Sequence, residues 1–160
     1  MSDAVLTSAE DGVLVITLNR PEARNAANKA LAEGVAAAVD ELESNDDLRV
    51  GILTGAGGTF CSGMDLKAFV SGETPSIEGR GFAGLTEYMV AKPMIAAVEG
   101  YALAGGFELA ISCETAARDP DKRIVNSEGA TLNTAAGYHL YGNSNGFLGA
   151  YPSTRHSISC

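Results

Sequence analysis

Apolar residues gather in three short runs along the first two thirds of the chain, at 13–18, 50–54 and 94–98. Each run is bounded by residues such as Gly, Pro, Asp or Asn, which is the pattern of a buried strand. The stretches between the runs carry apolar residues at helical spacing. Strands that alternate with helices in this way predict an α/β layered fold.

The helical stretches have recognisable limits. Asn28 is a suitable N-cap for an alanine-rich helix whose apolar side carries Leu31, Val35, Val39 and Leu42. A second helix is predicted from about Gly106. Residues 81–91 predict a weak helix that stops before Pro93, because the residue before a proline avoids helical geometry.

Length and charge narrow the function classes. The 160 residues, 46% of them apolar, suffice for one ordinary domain with a core. A net charge of −9 argues against a general nucleic-acid or membrane-surface binder, which would carry excess Lys and Arg. The first residues lack the basic and apolar regions of a signal peptide, and no apolar run approaches the length of a membrane span. A cytoplasmic protein is expected.

Cysteine and histidine are too few for a disulfide framework or a metal centre. Cys61, Cys113 and Cys160 are odd in number and scattered, and the two histidines, His139 and His156, have no partner at zinc-ligand spacing. We therefore expect no metal.

The chain changes character near residue 118. Residues 1–118 carry 8 basic and 17 acidic side chains, whereas residues 119–160 carry three of each sign. Such a change indicates a domain boundary, and the turn-forming residues 119–123 (DPDKR) mark its position. We predict a first domain over 1–118 and a β-rich tail of different origin over 119–160.

The tail has short strand signals instead of helical ones. Residues 123–125 and 138–141 are strand-like, and residues 143–146 (NSNG) form a strong turn signal. Residues 147–151 could form the return strand. A short antiparallel β structure is predicted.

Two glycine-rich loops, 62–66 and 104–108, precede helical segments. Loops of this kind can aim backbone N–H groups at a ligand, because glycine allows close approach and helix N-termini favour anions. Two such N–H groups that converge on one oxygen form an oxyanion hole. The alternative is a pair of tight turns that only reverse the chain.

Two other motifs fail on their context. Residues 58–63 match the first half of a phosphate-binding loop, but Met64 and Asp65 stand where lysine and a hydroxyl residue are required. Residues 142–146 match GxSxG, but Ser144 lies in a hairpin signal and no acidic residue follows it. Neither a nucleotide site nor a serine nucleophile is predicted.

Glu108 and Cys61 are the remaining candidates for chemistry. Glu108 lies just past the 104–106 turn in an otherwise apolar run, where a carboxylate is poor core filling and could transfer a proton. The alternative is a carboxylate that only favours the helix dipole. Cys61 is interpreted as a small buried thiol, since no histidine lies in the same half of the chain.

Four separated motifs occur in a family's order, at 19–26 (NRPEARNA), 60–66 (FCSGMDL), 92–98 (KPMIAAV) and 100–110 (GYALAGGFELA). Together they resemble the enoyl-CoA hydratase/isomerase (crotonase) superfamily, over about residues 5–119. The resemblance implies a spiral of ββα turns that binds acyl-CoA thioesters, with hydration of a 2-enoyl-CoA as the expected reaction. It implies no cofactor apart from the coenzyme A of the substrate, and a homo-oligomer, a trimer or a dimer of trimers, if the fold is complete.

The resemblance also assigns residues. The backbone N–H groups of Met64 and Gly105 would form the oxyanion hole, and Glu108 would be one of two catalytic glutamates. The residues implied in substrate binding are Arg24, Ala26, Gly63, Asp65, Leu66 and Lys67. Arg24, Lys67 and Lys92 are the local cations for an anionic ligand.

The resemblance breaks off after Asp119. The family's second glutamate follows a proline, whereas Glu128 stands in NSEG, so the second acid is expected to be absent. The tail instead resembles an internal segment of PmbA/TldE-like proteins, the partners of TldD-type metallopeptidases, at 123–129, 142–147 and 151–157. Two alternatives therefore stay open: a catalytically incomplete crotonase fragment or fusion that acts as an interaction module, and an accessory segment of such a peptidase system.

Overall fold

The computed structural model describes residues 3–118, 131–142 and 148–159, in two compact units over 1–123 and 124–160. The strands of the first unit are β1 Val5–Glu10, β2 Val13–Leu18, β3 Val50–Gly55, β4 Ser76–Ile77, β5 Gly81–Phe82 and β6 Met94–Ala97. Its helices are α1 Lys29–Ser44, α2 Leu66–Val70 and α3 Gly105–Arg118. The α/β class and the strands predicted at 13–18, 50–54 and 94–98 are confirmed.

A four-stranded sheet in the order β1-β2-β3-β6 forms the frame of this unit. β1 is antiparallel to β2, whereas β2, β3 and β6 run parallel. Alternate side chains of β2, including Leu14 and Ile16, are buried against α1. Because the strands that carry the site are parallel, their carboxyl ends meet at one edge of the sheet.

The predicted cap of α1 is confirmed. The Asn28 carboxamide oxygen accepts a hydrogen bond from the Leu31 N–H at 3.1 Å. The helix buries its predicted apolar side, Leu31, Val35, Val39 and Leu42, in the core. The predicted helix near Gly106 is also confirmed and begins at Gly105.

The weak helix predicted over 81–91 is wrong. The segment begins with the short strand β5 and continues as turns. Gly81, Ala83 and Gly84 have φ of +73°, +50° and +70°, which a right-handed helix does not allow. Ala83 and Leu85 are nevertheless fully buried, so the core fixes this turn.

The second unit contains an antiparallel pair, β7 Thr131–Gly142 and β8 Leu148–Ser159, in a register from Thr131↔Ser159 to Gly142↔Leu148. The predicted strand at 138–141 and its return strand are confirmed. The strand signal at 123–125, the turn at 143–146 and the predicted boundary at 119 lie outside the described residues. Among the described residues no helix is both long and apolar enough to cross a membrane.

Candidate active site

Beyond the carboxyl ends of β3 and β6, the segments that follow these two strands are hydrogen-bonded to each other. The Phe60 N–H donates to the Glu99 carbonyl at 2.8 Å, and the Cys61 N–H donates to the Tyr101 carbonyl at 2.9 Å. The Leu103 N–H returns a bond to the Cys61 carbonyl at 3.0 Å. This pairing brings the two glycine-rich loops of the sequence side by side.

The first loop is held on its other side by the segment before α1. The Ala27 N–H donates to the Gly63 carbonyl at 2.7 Å, and the Asp65 N–H donates to the Ala27 carbonyl at 2.9 Å. Met64 stands opposite Ala27 in this bridge, but the bridge uses the groups of its two neighbours. The N–H of Met64 itself takes no part in this bridge.

Met64 and Gly105 carry the two backbone donors of the site. Neither N–H donates a hydrogen bond to another group in the part of the chain that the structure describes. A β-carbon at Gly63 would lie 3.0 Å from the Leu103 carbonyl oxygen and 3.7 Å from the Gly105 nitrogen, and Gly63 has φ +98°. The loops therefore touch at the point where both donors are presented, and only glycine permits this approach.

Gly105 is also the first residue of α3, where the first N–H groups of a helix have no partner within the helix. The positive end of the helix dipole lies at the same place. Glu108 follows three residues later, on the same side of the first turn. Its side chain is exposed, so the carboxylate is not buried in the run that surrounds it.

Asp65 is held by partners from the chain itself. Its Oδ2 lies 2.8 Å from Arg20 Nη2, and its Oδ1 accepts the N–H groups of Lys67 and Ala68, which caps α2. The hydrogen bond from Arg20 lowers the pKa of Asp65. Asp65 therefore fixes the segment after Met64.

The remaining predicted substrate-binding residues differ in access. Arg24, Leu66 and Lys67 are exposed, whereas Ala26 is buried. The Arg24 and Lys67 side chains make no hydrogen bond or ion pair within residues 3–113, so their charges are available to an anionic ligand. Lys92 is not: its Nζ donates to the Leu42 and Asn45 carbonyls at the end of α1, at 2.8 and 2.7 Å.

Cys61 is a buried thiol, as predicted. It is fully buried, and this burial raises the pKa of its thiol. Its Sγ accepts the Gly63 N–H at 3.4 Å, so it contributes to the shape of the loop. Ser144 and Glu128 lie outside the described residues.

Two residues of the site received no role from the sequence, Arg20 and Asn25. Asn25 is fully buried; it accepts the Arg20 N–H at 2.8 Å and donates to the carbonyls of Ala56 and Thr59. Both residues lie in the 19–26 motif, which was the available signal. Their partners are distant in the sequence, so no local pattern could name them.

Comparisons with known proteins show the family of this chain. The profile of the Enoyl-CoA hydratase/isomerase family matches residues 8–131. The chain is 42% identical to a carnitinyl-CoA dehydratase of Proteus mirabilis, over 71% of this chain and 45% of that protein. It is 38% identical to the mevalonyl-coenzyme A hydratase sidH of Aspergillus fumigatus, over 75% of this chain and 43% of that protein.

Solved structures give the same result. An enoyl-CoA hydratase from Mycobacterium tuberculosis superposes with a TM-score of 0.67 at 56% identity, over 69% of this chain and 44% of that one. A probable enoyl-CoA hydratase/isomerase from Mycobacterium abscessus has the same TM-score at 60% identity, over 71% and 44%. This chain belongs to the enoyl-CoA hydratase/isomerase family. It spans less than half the length of the curated relatives that it matches.

Proposed function

We propose that this protein binds acyl-CoA thioesters and uses the Met64 and Gly105 N–H groups to polarise the thioester carbonyl, for the hydration of a 2-enoyl-CoA. The observation that carries the proposal is the pair of unused backbone donors on two touching loops, one of them at the start of α3. The relatives are named as a carnitinyl-CoA dehydratase, a mevalonyl-coenzyme A hydratase and an enoyl-CoA hydratase, and these names support the substrate class.

The chemistry follows from where charge develops. A water molecule adds its oxygen to the β-carbon of the enoyl thioester, and the electron pair moves to the thioester oxygen as an enolate. Two preorganised donors stabilise that oxygen, and removal of one such donor typically costs about 10²–10³ in rate. Glu108 takes the proton that the water loses and returns it to the α-carbon, so that the net change is the addition of one water molecule across the double bond.

The coenzyme A part is an anion, which suits the exposed cations near the first loop. Arg24 and Lys67 would contact its phosphates, beside Ala26, Gly63 and Leu66. Asp65 would act indirectly, since both of its oxygens have partners in the chain. No cofactor beyond the CoA of the substrate takes part in this proposal.

Two assays, a calorimetric titration and an absorbance assay, test binding and reaction separately. Butanoyl-CoA, which cannot be hydrated, measures binding, and loss of 2-butenoyl-CoA absorbance measures hydration. Saturable binding together with hydration that falls about a hundredfold or more in Glu108→Gln supports the proposal. Binding without hydration supports the catalytically incomplete alternative, a crotonase-type interaction module. No binding by a folded sample overturns the proposal.

The oligomeric state and compartment belong to the same proposal. Exposed apolar side chains on α2, including Phe69 and Val70, support association into a trimer or a dimer of trimers. Cys61 and Cys113 are free buried thiols, which supports a reducing compartment such as the cytoplasm. Size-exclusion chromatography with light scattering tests the assembly, and a monomer would overturn it.

A second candidate function concerns residues 120–160. We propose that this segment, through its resemblance to PmbA/TldE-like proteins, contacts a TldD-type metallopeptidase. Residues 124–160 of this segment form a compact unit of their own, which supports a role apart from thioester binding. A pull-down with a purified TldD-type protein tests this, and indifference to that protein would overturn it.

A further inference from the structure

The side of Gly105 that would carry a side chain faces the ring of Phe82. A β-carbon at position 105 would lie 2.6 Å from Phe82 Cζ, 2.7 Å from Cε1 and 3.0 Å from Cδ1. Carbon atoms in good contact are about 3.5–4.0 Å apart. The ring therefore fills the space beside the Gly105 α-carbon, and Gly105 is packed by an aromatic ring from another part of the chain.

Phe82 is held firmly by its own neighbours. It pairs with Ser76 between β4 and β5, and its carbonyl accepts the N–H groups of Leu85 and Thr86 at 3.2 and 3.3 Å. Ala83 and Leu85 are fully buried in the core. The ring thus rests on a turn that cannot shift without disturbing the core.

On both sides of Phe82 in the sequence, the same segment contacts α1. Arg80 pairs with Asp40, and its guanidinium carbon lies 4.0 Å from the centre of the Tyr88 ring. The Tyr88 hydroxyl donates to Glu43 at 2.7 Å. Through these contacts the position of Phe82 is tied to α1 as well as to its own turn.

Gly105 needs an external support of this kind. Ala104 has φ +48°, a conformation that a non-glycine residue adopts rarely and at a cost. Gly105 has no side chain with which to pack, and glycine restricts its own backbone least. The peptide that carries the Gly105 N–H therefore joins a strained residue to a permissive one, and the Phe82 ring limits its movement.

We propose that Phe82 is a positioning residue of the oxyanion hole, whose ring keeps the Gly105 N–H directed at the thioester oxygen. This inference rests on the proposed function. Phe82 takes part in no proton transfer, because a phenyl ring has no group that titrates. It acts through Gly105.

The test measures how strongly the bound carbonyl is polarised, in addition to how tightly the ligand binds. A 3-aryl-acryloyl-CoA thioester absorbs at longer wavelength when its carbonyl accepts strong hydrogen bonds. In Phe82→Leu we expect most of this red shift to be lost, and kcat for 2-butenoyl-CoA to fall about tenfold, with KM within twofold of the wild type. Met89→Leu, at an exposed residue of the same segment, is the control and should keep the full shift.

Steric coupling gives a second readout. Gly105→Ala alone forces its methyl group into the ring and should abolish the shift. In the Phe82→Ala background the same substitution should destabilise the fold much less, because the ring is gone, and urea unfolding of the four proteins of a double-mutant cycle measures this coupling. If Phe82→Leu does not fold by circular dichroism, Phe82→Met takes its place, because an unbranched methionine fills an irregular gap more easily.

The outcomes separate the two proposals. A Phe82 variant that binds the thioester with the wild-type red shift overturns the positioning role and leaves the proposed function standing. A folded wild-type protein that binds no thioester overturns the proposed function and this role with it.

Discussion

Arg20 and Asp65 are 45 residues apart in the sequence, yet Arg20 Nη2 lies 2.8 Å from Asp65 Oδ2. Both side chains are mostly buried, at 18% and 14% exposure. Arg20 also donates to the Ala26 carbonyl, and Asp65 also caps α2. This single ion pair joins the loop after β2 to the segment that carries the Met64 donor.

We expect Asp65→Asn to destabilise the protein by about 1–3 kcal/mol at pH 7, since it weakens a hydrogen bond between charged groups. The Arg20 hydrogen bond lowers the pKa of Asp65 in the folded state. A group of this kind stabilises the fold above its unfolded pKa of about 3.9, and the contribution is lost as the pH falls through the lower, folded value.

Urea unfolding of both proteins at pH 7 and at pH 3 measures this difference. The gap between wild type and Asp65→Asn should narrow at pH 3. The exposed pair Lys29–Glu33 provides the control, and Glu33→Gln should change stability by less than about 0.5 kcal/mol. An equal gap at both pH values would contradict the role of the Asp65 charge.

Asn25→Ala should be more damaging, by about 2–4 kcal/mol, because it leaves three partly buried backbone groups without their hydrogen bonds. Asn25 also has φ +55°, which asparagine tolerates better than alanine. Asn45→Ala is the matched control, because Asn45 bonds only the exposed Asp47 N–H through its side chain. Thermal unfolding compares the two, and similar melting temperatures would refute the prediction.

The thiols of Cys61 and Cys113 should react slowly in the folded protein. Burial raises the pKa of Cys61, and that of Cys113 to about 12, so little thiolate exists at pH 8. We expect iodoacetamide to label both at least about a hundredfold more slowly than in urea. Peptide mass spectrometry gives the rate at each site. Rapid native labelling of Cys61 would show that the loop is open.

Lys67→Ala and Arg24→Ala should each weaken CoA binding by about three- to tenfold, and by less at high salt, because exposed charges are screened. Arg49→Ala removes the same charge at the start of β3, the opposite edge of the sheet from the site. It should leave the affinity unchanged. Calorimetric titration with CoA measures the affinity of all three variants. An equal loss of affinity in Arg49→Ala would show that the effect comes from net charge alone.

Local pattern predicted the elements whose burial is regular. The apolar run of 13–18 and the cap at Asn28 are each recognised from a few neighbouring residues. β1 was missed because its outward residues are mostly polar and exposed, and only pairing with β2 makes it a strand. The turn within 81–91 was missed because Ala83 combines a φ of +50° with full burial, and its core neighbours are distant in the sequence.

The sequence by itself determined the α/β class and two candidate loops, because strand and helix periods and glycine-rich loops are local properties. Four motifs in a family's order carried the resemblance to that family and to its site residues. Only the tertiary structure decided that Met64 and Gly105 present unused N–H groups on touching loops, and that the Phe82 ring packs on Gly105. It also decided that Arg20 forms an ion pair with Asp65 and that the Lys92 ammonium group donates to a carbonyl of α1. These contacts join residues far apart in the chain, and their distances follow from sheet register and core packing, which no short window of sequence contains.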